Sequence, residues 1–155
     1  MELKRDKIKR EFLEAGAPQM IKLLERFQFP SNFLRDNASV FKRFMPDVRT
    51  AVLLALFEHQ KLKDSALRAL VDLVNKDKLW YAISYNQGIS EDFFFEYSNK
   101  LSLKYIYSGD WNRDSNLNKW LKDKDNRSER LRLYLEMSGI PINIWSKDYD
   151  FYNTK

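Results

Sequence analysis

Apolar residues recur along this chain at intervals of three and four, the period of amphipathic helices. Leu3, Ile8 and Phe12 form a loose stripe between charged positions and predict a first helix over residues 2–14. Gly16 and Pro18 interrupt the pattern. Met20, Leu23, Leu24 and Phe27 resume it, so a second helix is predicted over 18–28, with Pro18 in its first turn and Pro30 closing it. Residues 31–45 predict a short helix with Phe33, Val40, Phe41 and Phe44 as its apolar contacts. The strongest signal comes next. From Pro46 to His59, Val48 and the run Ala51 to Phe57 leave almost no polar face. A helix apolar all round belongs in the middle of a fold. Asp64 and Ser65 then predict the cap of a partner helix, on which Leu67, Leu70, Val71 and Val74 recur at helical spacing. The short gap between the two predicts an antiparallel helical hairpin.

Residues 77–86, with Leu79, Trp80 and Ile83, predict a further helix that Gly88 ends. Ser90 predicts an N-cap, with Glu91 and Asp92 in the first turn and Phe93, Phe94, Phe95 and Tyr97 beyond. Leu101, Leu103, Tyr105 and Tyr107 alternate, so 101–107 fit a short strand as well as a helix. A polar loop (108–116) and a short helix (117–122) follow. Asn126 with Glu129 has the form of a capping box for a last helix that Gly139 ends. Residues 140–155 show no helical period and predict an extended aromatic tail. The expected architecture is therefore all-α: one domain over 1–155, a multi-helix bundle around a buried central helix at 47–59.

The stretch Pro46-Asp47-Val48-Arg49-Thr50-Ala51, followed by Asp64-Ser65-Ala66-Leu67-Arg68-Ala69-Leu70, resembles the helical hairpins of HEAT-type repeats over residues 46–75. The resemblance implies a hairpin and no particular function. Solenoids stack several such units, and no second copy at a fixed period is visible in the sequence.

Composition narrows the chemistry. Hydrophobic residues are 44% and charged residues 32% of the chain, the balance of a globular domain. The four glycines and four prolines are few for a β-rich fold. Cysteine is absent, which excludes disulfides, thiolate nucleophiles and the common structural zinc sites, and suits a reducing cytoplasm. The charged N-terminus has no signal-peptide form, and the longest apolar run is far too short to span a bilayer, so no membrane partner is expected. Aromatic residues reach 15%, enough to stock a core, a recognition surface or both.

No catalytic constellation emerges. The single histidine, His59, ends the most apolar helix and reads as a cap or packing residue. Residues 110–121 alternate oxygen ligands as a calcium loop does, but Ser115 stands where glycine is needed and Leu121 where a closing glutamate is needed. The glycines, at 16, 88, 109 and 139, are too scattered for a phosphate loop. Glu91, Asp92 and Glu96 offer a carboxylate cluster, which capping electrostatics already explains in part. No cofactor or metal is expected. The net charge of +5 lies mostly in the first half of the chain. Cations group at Lys4, Arg5, Lys7, Lys9 and Arg10, at Lys42, Arg43 and Arg49, and between Lys119 and Arg132. The expected function is a non-enzymatic protein-binding domain: an inhibitor, adaptor or regulatory subunit with another protein as partner. Its expected contacts are Trp145, Tyr149 and Tyr152 of the tail and the face bearing Lys119, Trp120, Lys122, Arg127 and Arg130. Binding of DNA or RNA through the basic faces is the alternative, and an enzyme built from Asp, Glu, Tyr or Ser ranks last.

Overall fold

The computed structural model describes residues 3–108 and 128–137, and within them the chain is helical, with no strand. The α-helices are α1 (Lys4–Glu14), α2 (Ala17–Arg26), α3 (Ser31–Asp36), α4 (Pro46–His59), α5 (Asp64–Val71), α6 (Asp77–Asn86), α7 (Glu91–Glu96), α8 (Leu103–Ser108) and α9 (Glu129–Met137). A 3-10 helix (Ala38–Arg43) joins α3 to α4. The all-α expectation holds. The alternating stretch at 101–107 is helical from Leu103, because Ile106 points into the core and Ser102 accepts the Tyr105 N–H (3.3 Å) as a cap. The single helix expected over 31–45 is two elements, divided at Asn37.

Local chemistry sets the helix starts. Pro46 occupies the first turn of α4, where its missing N–H is no loss, and Asp47, Asp64 and Asp77 place negative charge in the first turns of α4, α5 and α6. Ser90 caps α7, accepting the Phe93 N–H at 3.1 Å, as its sequence position predicts. Two caps differ from expectation. Asp64 lies inside α5 and pairs with Arg68 at 2.6 Å rather than capping the helix. At α9 it is Ser128 that accepts the Leu131 N–H, at 3.0 Å, while Asn126 lies outside the described residues.

α4 is the central element. Val52, Leu53, Ala55, Leu56 and Phe57 are buried along it, and it packs against α2, α6 and the 3-10 helix. The closest packing in the molecule is between alternate helices: α2 with α4, α4 with α6, α6 with α8, and α3 with α5. That pattern sets α2, α4, α6 and α8 in one layer, with α3 beside α5. Its unit repeats without gaps at 17–36, 50–69 and 77–96. Each copy ends its first helix at Arg26, His59 or Asn86 and opens its second at Ser31, Asp64 or Glu91. Equivalent positions are buried in all three: Met20, Leu53 and Trp80; Leu23, Leu56 and Ile83; Phe29, Leu62 and Ile89; Leu34, Leu67 and Phe94. The copies lie 33 and then 27 residues apart. The unequal connectors hide the period from a fixed-interval reading of the sequence.

A buried glutamine staples each copy to the one before it. Gln60, at 2% exposure, donates to the carbonyls of Leu24 and Phe27 (2.6 Å each) and accepts the Phe29 N–H (2.9 Å). Gln87, at 1%, repeats the geometry one layer on. It donates to the carbonyls of Phe57 (2.8 Å) and Gln60 (2.6 Å) and accepts the Leu62 N–H (3.1 Å). The carbonyls at the end of one helix have no partner within that helix. Each glutamine satisfies them and holds the C-terminal ends of α2, α4 and α6 side by side. Phe12, Phe29, Phe33 and Phe41 close the first layer, with Phe12 and Phe29 ring centroids 4.7 Å apart.

Candidate interaction surfaces

The polar groups singled out in the sequence are engaged in holding helices together. Glu91 is buried; it accepts from the Ser128 hydroxyl and lies 3.3 Å from Arg130. Arg130 also bonds Asp92 at 2.8 Å and lies over the Phe95 ring, 4.3 Å from its centroid. Its pKa is raised, chiefly by the Asp92 bond. Arg130 thus fastens α9 onto α7. Glu96 pairs with Arg68, which also holds Asp64, so the three carboxylates each face a cation instead of converging. Among the described residues no group of three His, Asp or Glu side chains is arranged to hold a metal. His59 is exposed, and its backbone carbonyl accepts from the Gln28 amide.

Two cations of the second basic cluster also bond backbone groups. Arg43 donates to the carbonyls of Leu13 and Ala15 at the end of α1. Arg49 donates to those of Lys42 (3.0 Å) and Phe44 (3.1 Å). Both cations satisfy helix-end carbonyls that water would otherwise have to reach. The aromatic wealth of residues 80–97 is largely core: Trp80, Phe93 and Phe94 are buried, and Tyr97 packs against Trp80 and Phe93.

Two surfaces are left. The first is the outward face of the first-helix layer. Ile21, Leu54 and Tyr81 hold the same register in the three copies, and Tyr105 of α8 continues the row, its ring 5.1 Å from that of Tyr81. Tyr81 and Tyr85 are 46% and 42% exposed, and Val48 on α4 is 41% exposed. Ala51 is exposed beside them. The sequence assigns α4 to the centre, and its inner face is there, but this outer apolar strip faces solvent. The second surface is a groove of about 310 Å³ between α1 and the segment that leaves α2. One wall carries Arg5, Ile8 and Lys9; the other carries Phe27, Gln28 and Pro30, with Phe29 beneath. Gln28 is pinned there, since its amide also accepts the Lys61 N–H at 3.2 Å.

Of the predicted contacts, Arg130 is placed as described. Lys119, Trp120, Lys122, Arg127, Trp145, Tyr149 and Tyr152 lie outside the described residues, as does the calcium-like loop. The sequence reading missed the tyrosine row. Its signal was present: Tyr81 and Tyr85 stand four apart, on the helix face opposite Leu79 and Ile83. No helix among the described residues is long and apolar enough to cross a membrane. No family model, no curated protein and no solved structure matches the chain.

Proposed function

We propose that this chain is a non-enzymatic protein-binding domain of the adaptor, inhibitor or regulatory kind, docking its partner on the outward row of α4, α6 and α8. One observation carries the reading: Val48 on α4 and Tyr81 and Tyr85 on α6, two helices packed side by side, stay open to water. Exposed tyrosines on a rigid helix surface supply large contact area at small conformational cost, and such residues dominate interface energetics. Stacked helical hairpins present extended surfaces of this sort. Val48, Tyr81 and Tyr85 join Arg130, whose side chain is half exposed, as residues on which contact is expected.

The test is affinity purification from a cell extract with the native chain and with a Tyr81→Glu/Tyr85→Glu variant. The expected result is one stoichiometric protein recovered by the native chain and lost by the variant at unchanged helicity. Recovery by both, or by neither, removes the proposal.

Nucleic-acid binding is favoured by a different observation, the exposed Lys4, Arg5 and Lys7 on α1. Arg43, Arg49 and Arg130 add less to it, because each already bonds groups within the fold. A steep fall of affinity for DNA or RNA with salt is its required signature.

A further inference from the structure

The groove beside α1 is basic on one wall and aromatic on the other, and further cations border it. We propose that it binds single-stranded nucleic acid, seating one unpaired base against Phe27 with the flanking phosphates on the cations around it. The proposal rests on the nucleic-acid reading above and not on the tyrosine row. Arg5 and Lys9 stand four apart on α1, so they share one helix face about 6 Å from each other. Phe27 is half-buried in the opposite wall, and the Arg26 guanidinium lies over its ring, 5.4 Å from the centroid. Gln28 joins that wall to the connector between α4 and α5: it donates to the His59 carbonyl and accepts the Lys61 N–H at 3.2 Å. Ser31 accepts the Lys63 N–H at 2.8 Å. Exposed Lys61 and Lys63 are thereby held beside the aromatic wall, the wall that faces Arg5 and Lys9.

Charge selects a polyanion. Arg5, Lys9, Arg26, Lys61 and Lys63 border a groove whose described lining holds no carboxylate. Among the described residues, none of these cations is within ion-pair distance of a carboxylate. Asp64, next to Lys63, is already paired with Arg68 at 2.6 Å. The aromatic wall selects an unpaired strand. A base within a duplex keeps its faces covered by its neighbours, whereas an unpaired one offers a face to an aromatic side chain. At about 310 Å³ the groove has room for one nucleotide and not for a double helix. A single strand repeats a phosphate and a ring in every unit, the combination that the two walls accommodate. An acidic peptide of the same charge matches the cations alone.

Fluorescence anisotropy of the full chain with labelled oligo-dT and oligo-U of about 12 nucleotides, and with a DNA duplex of equal length, tests it. Both single strands are expected to bind roughly tenfold tighter than the duplex, with log K falling against log salt at a slope of about −3, as for four neutralised phosphates. Arg5→Glu combined with Lys61→Glu, one exposed cation from each side, should lower affinity on the order of tenfold. Lys22→Glu combined with Lys78→Glu makes the same change in net charge outside the groove and should lower it less than about threefold. Phe27→Leu, with its fold checked by circular dichroism, should lose about fivefold. Equal affinity for the duplex, equal losses from the two charge pairs, or no loss from a folded Phe27→Leu variant overturns the groove as the site and leaves general nucleic-acid binding standing. No binding of any strand overturns both. Displacement of the strand by an equal concentration of a glutamate-rich peptide of equal charge also overturns the proposal and identifies an acidic protein as the occupant.

Discussion

α4 and α6 each break the usual segregation of polar and apolar groups twice, in opposite senses. At their C-terminal ends Gln60 and Gln87 are polar and buried. On their outward faces Val48, Tyr81 and Tyr85 are apolar or aromatic and exposed. The same helices carry both exceptions, and the hydrogen bonds separate them. Each glutamine makes three bonds to the neighbouring layer and leaves no polar atom wanting. Its burial is therefore an internal matter, complete within the chain. Tyr81 and Tyr85 are instead more than two-fifths exposed, with the Tyr81 ring 5.1 Å from that of Tyr105. An exception that the fold itself satisfies points to architecture, and one that it leaves open points outward.

Removing a staple is the harshest test of that contrast. Gln60→Leu keeps the size but strands the carbonyls of Leu24 and Phe27 and the N–H of Phe29. Buried groups left without partners cost ~1–3 kcal/mol each, so a loss of about 3–5 kcal/mol is expected in urea unfolding. Gln87→Leu should match it, because the geometry is the same one layer on. A loss under about 1 kcal/mol for either variant would make the staple incidental.

The charge variant sharpens the same point through pH. Gln60→Glu puts a carboxyl against two carbonyl oxygens in a buried place, which disfavours its ionised form and raises its folded-state pKa above the ordinary glutamate value. The folded state then holds the proton more tightly than the unfolded one. Stability is fully present below the unfolded pKa of ~4.3 and is lost as pH rises through the folded pKa. The variant is expected to be about 2 kcal/mol more stable at pH 4 than at pH 7, relative to the native chain, by urea titration at both values. A flat difference would show that water reaches the seam.

These staples also mark where the sequence was and was not readable. The helices were legible because apolar residues at three- and four-residue spacing have one solution, and the starts at Pro46 and Ser90 follow from local chemistry that tertiary structure leaves alone. The repeat was not. Its copies share burial, not identity: Met20, Leu53 and Trp80 fill one position, and Phe27, Gln60 and Gln87 another. Only packing shows that these are equivalent, and the 33- and 27-residue spacings defeat a search at fixed period. The two helices read at 46–75 are there, as α4 and α5, but α4 packs chiefly against α2 and α6. Arg43 and Arg130 are exposed, as surface cations are, but a sequence does not show which carbonyls and carboxylates lie within their reach. The tyrosine row was in plain view, yet Tyr81 and Tyr85 are next to Trp80 and Ile83, and the spacing alone does not say which side faces inward.

A smaller effect is expected where a polar contact is only half enclosed. Ser128 accepts the Leu131 N–H at the start of α9 and donates to buried Glu91. Ser128→Ala removes a cap and one of the partners of Glu91, for a loss of about 1 kcal/mol. Thermal unfolding followed by circular dichroism measures it. No change would mean that α9 is held by the Phe94, Phe95 and Tyr134 rings alone.

The smallest stability effect should come from the most conspicuous residues. Tyr81→Glu and Val48→Glu change large or branched apolar groups into charged ones, the kind of substitution that ruins a core. Here each side chain is more than two-fifths exposed, and the Tyr81 ring meets that of Tyr105 at the surface. Surface substitutions away from caps and buried networks usually stay within ~0.5 kcal/mol, and that is the change expected in urea unfolding for each variant. If the row is instead a strip of core that happens to look open, glutamate there would cost several times as much, as loss of a staple does. A near-zero cost for Tyr81→Glu beside a large one for Gln60→Leu would separate the two exceptions by the criterion that defines them. That outcome would show the glutamine to be required by the fold and the exposed tyrosine ring not to be.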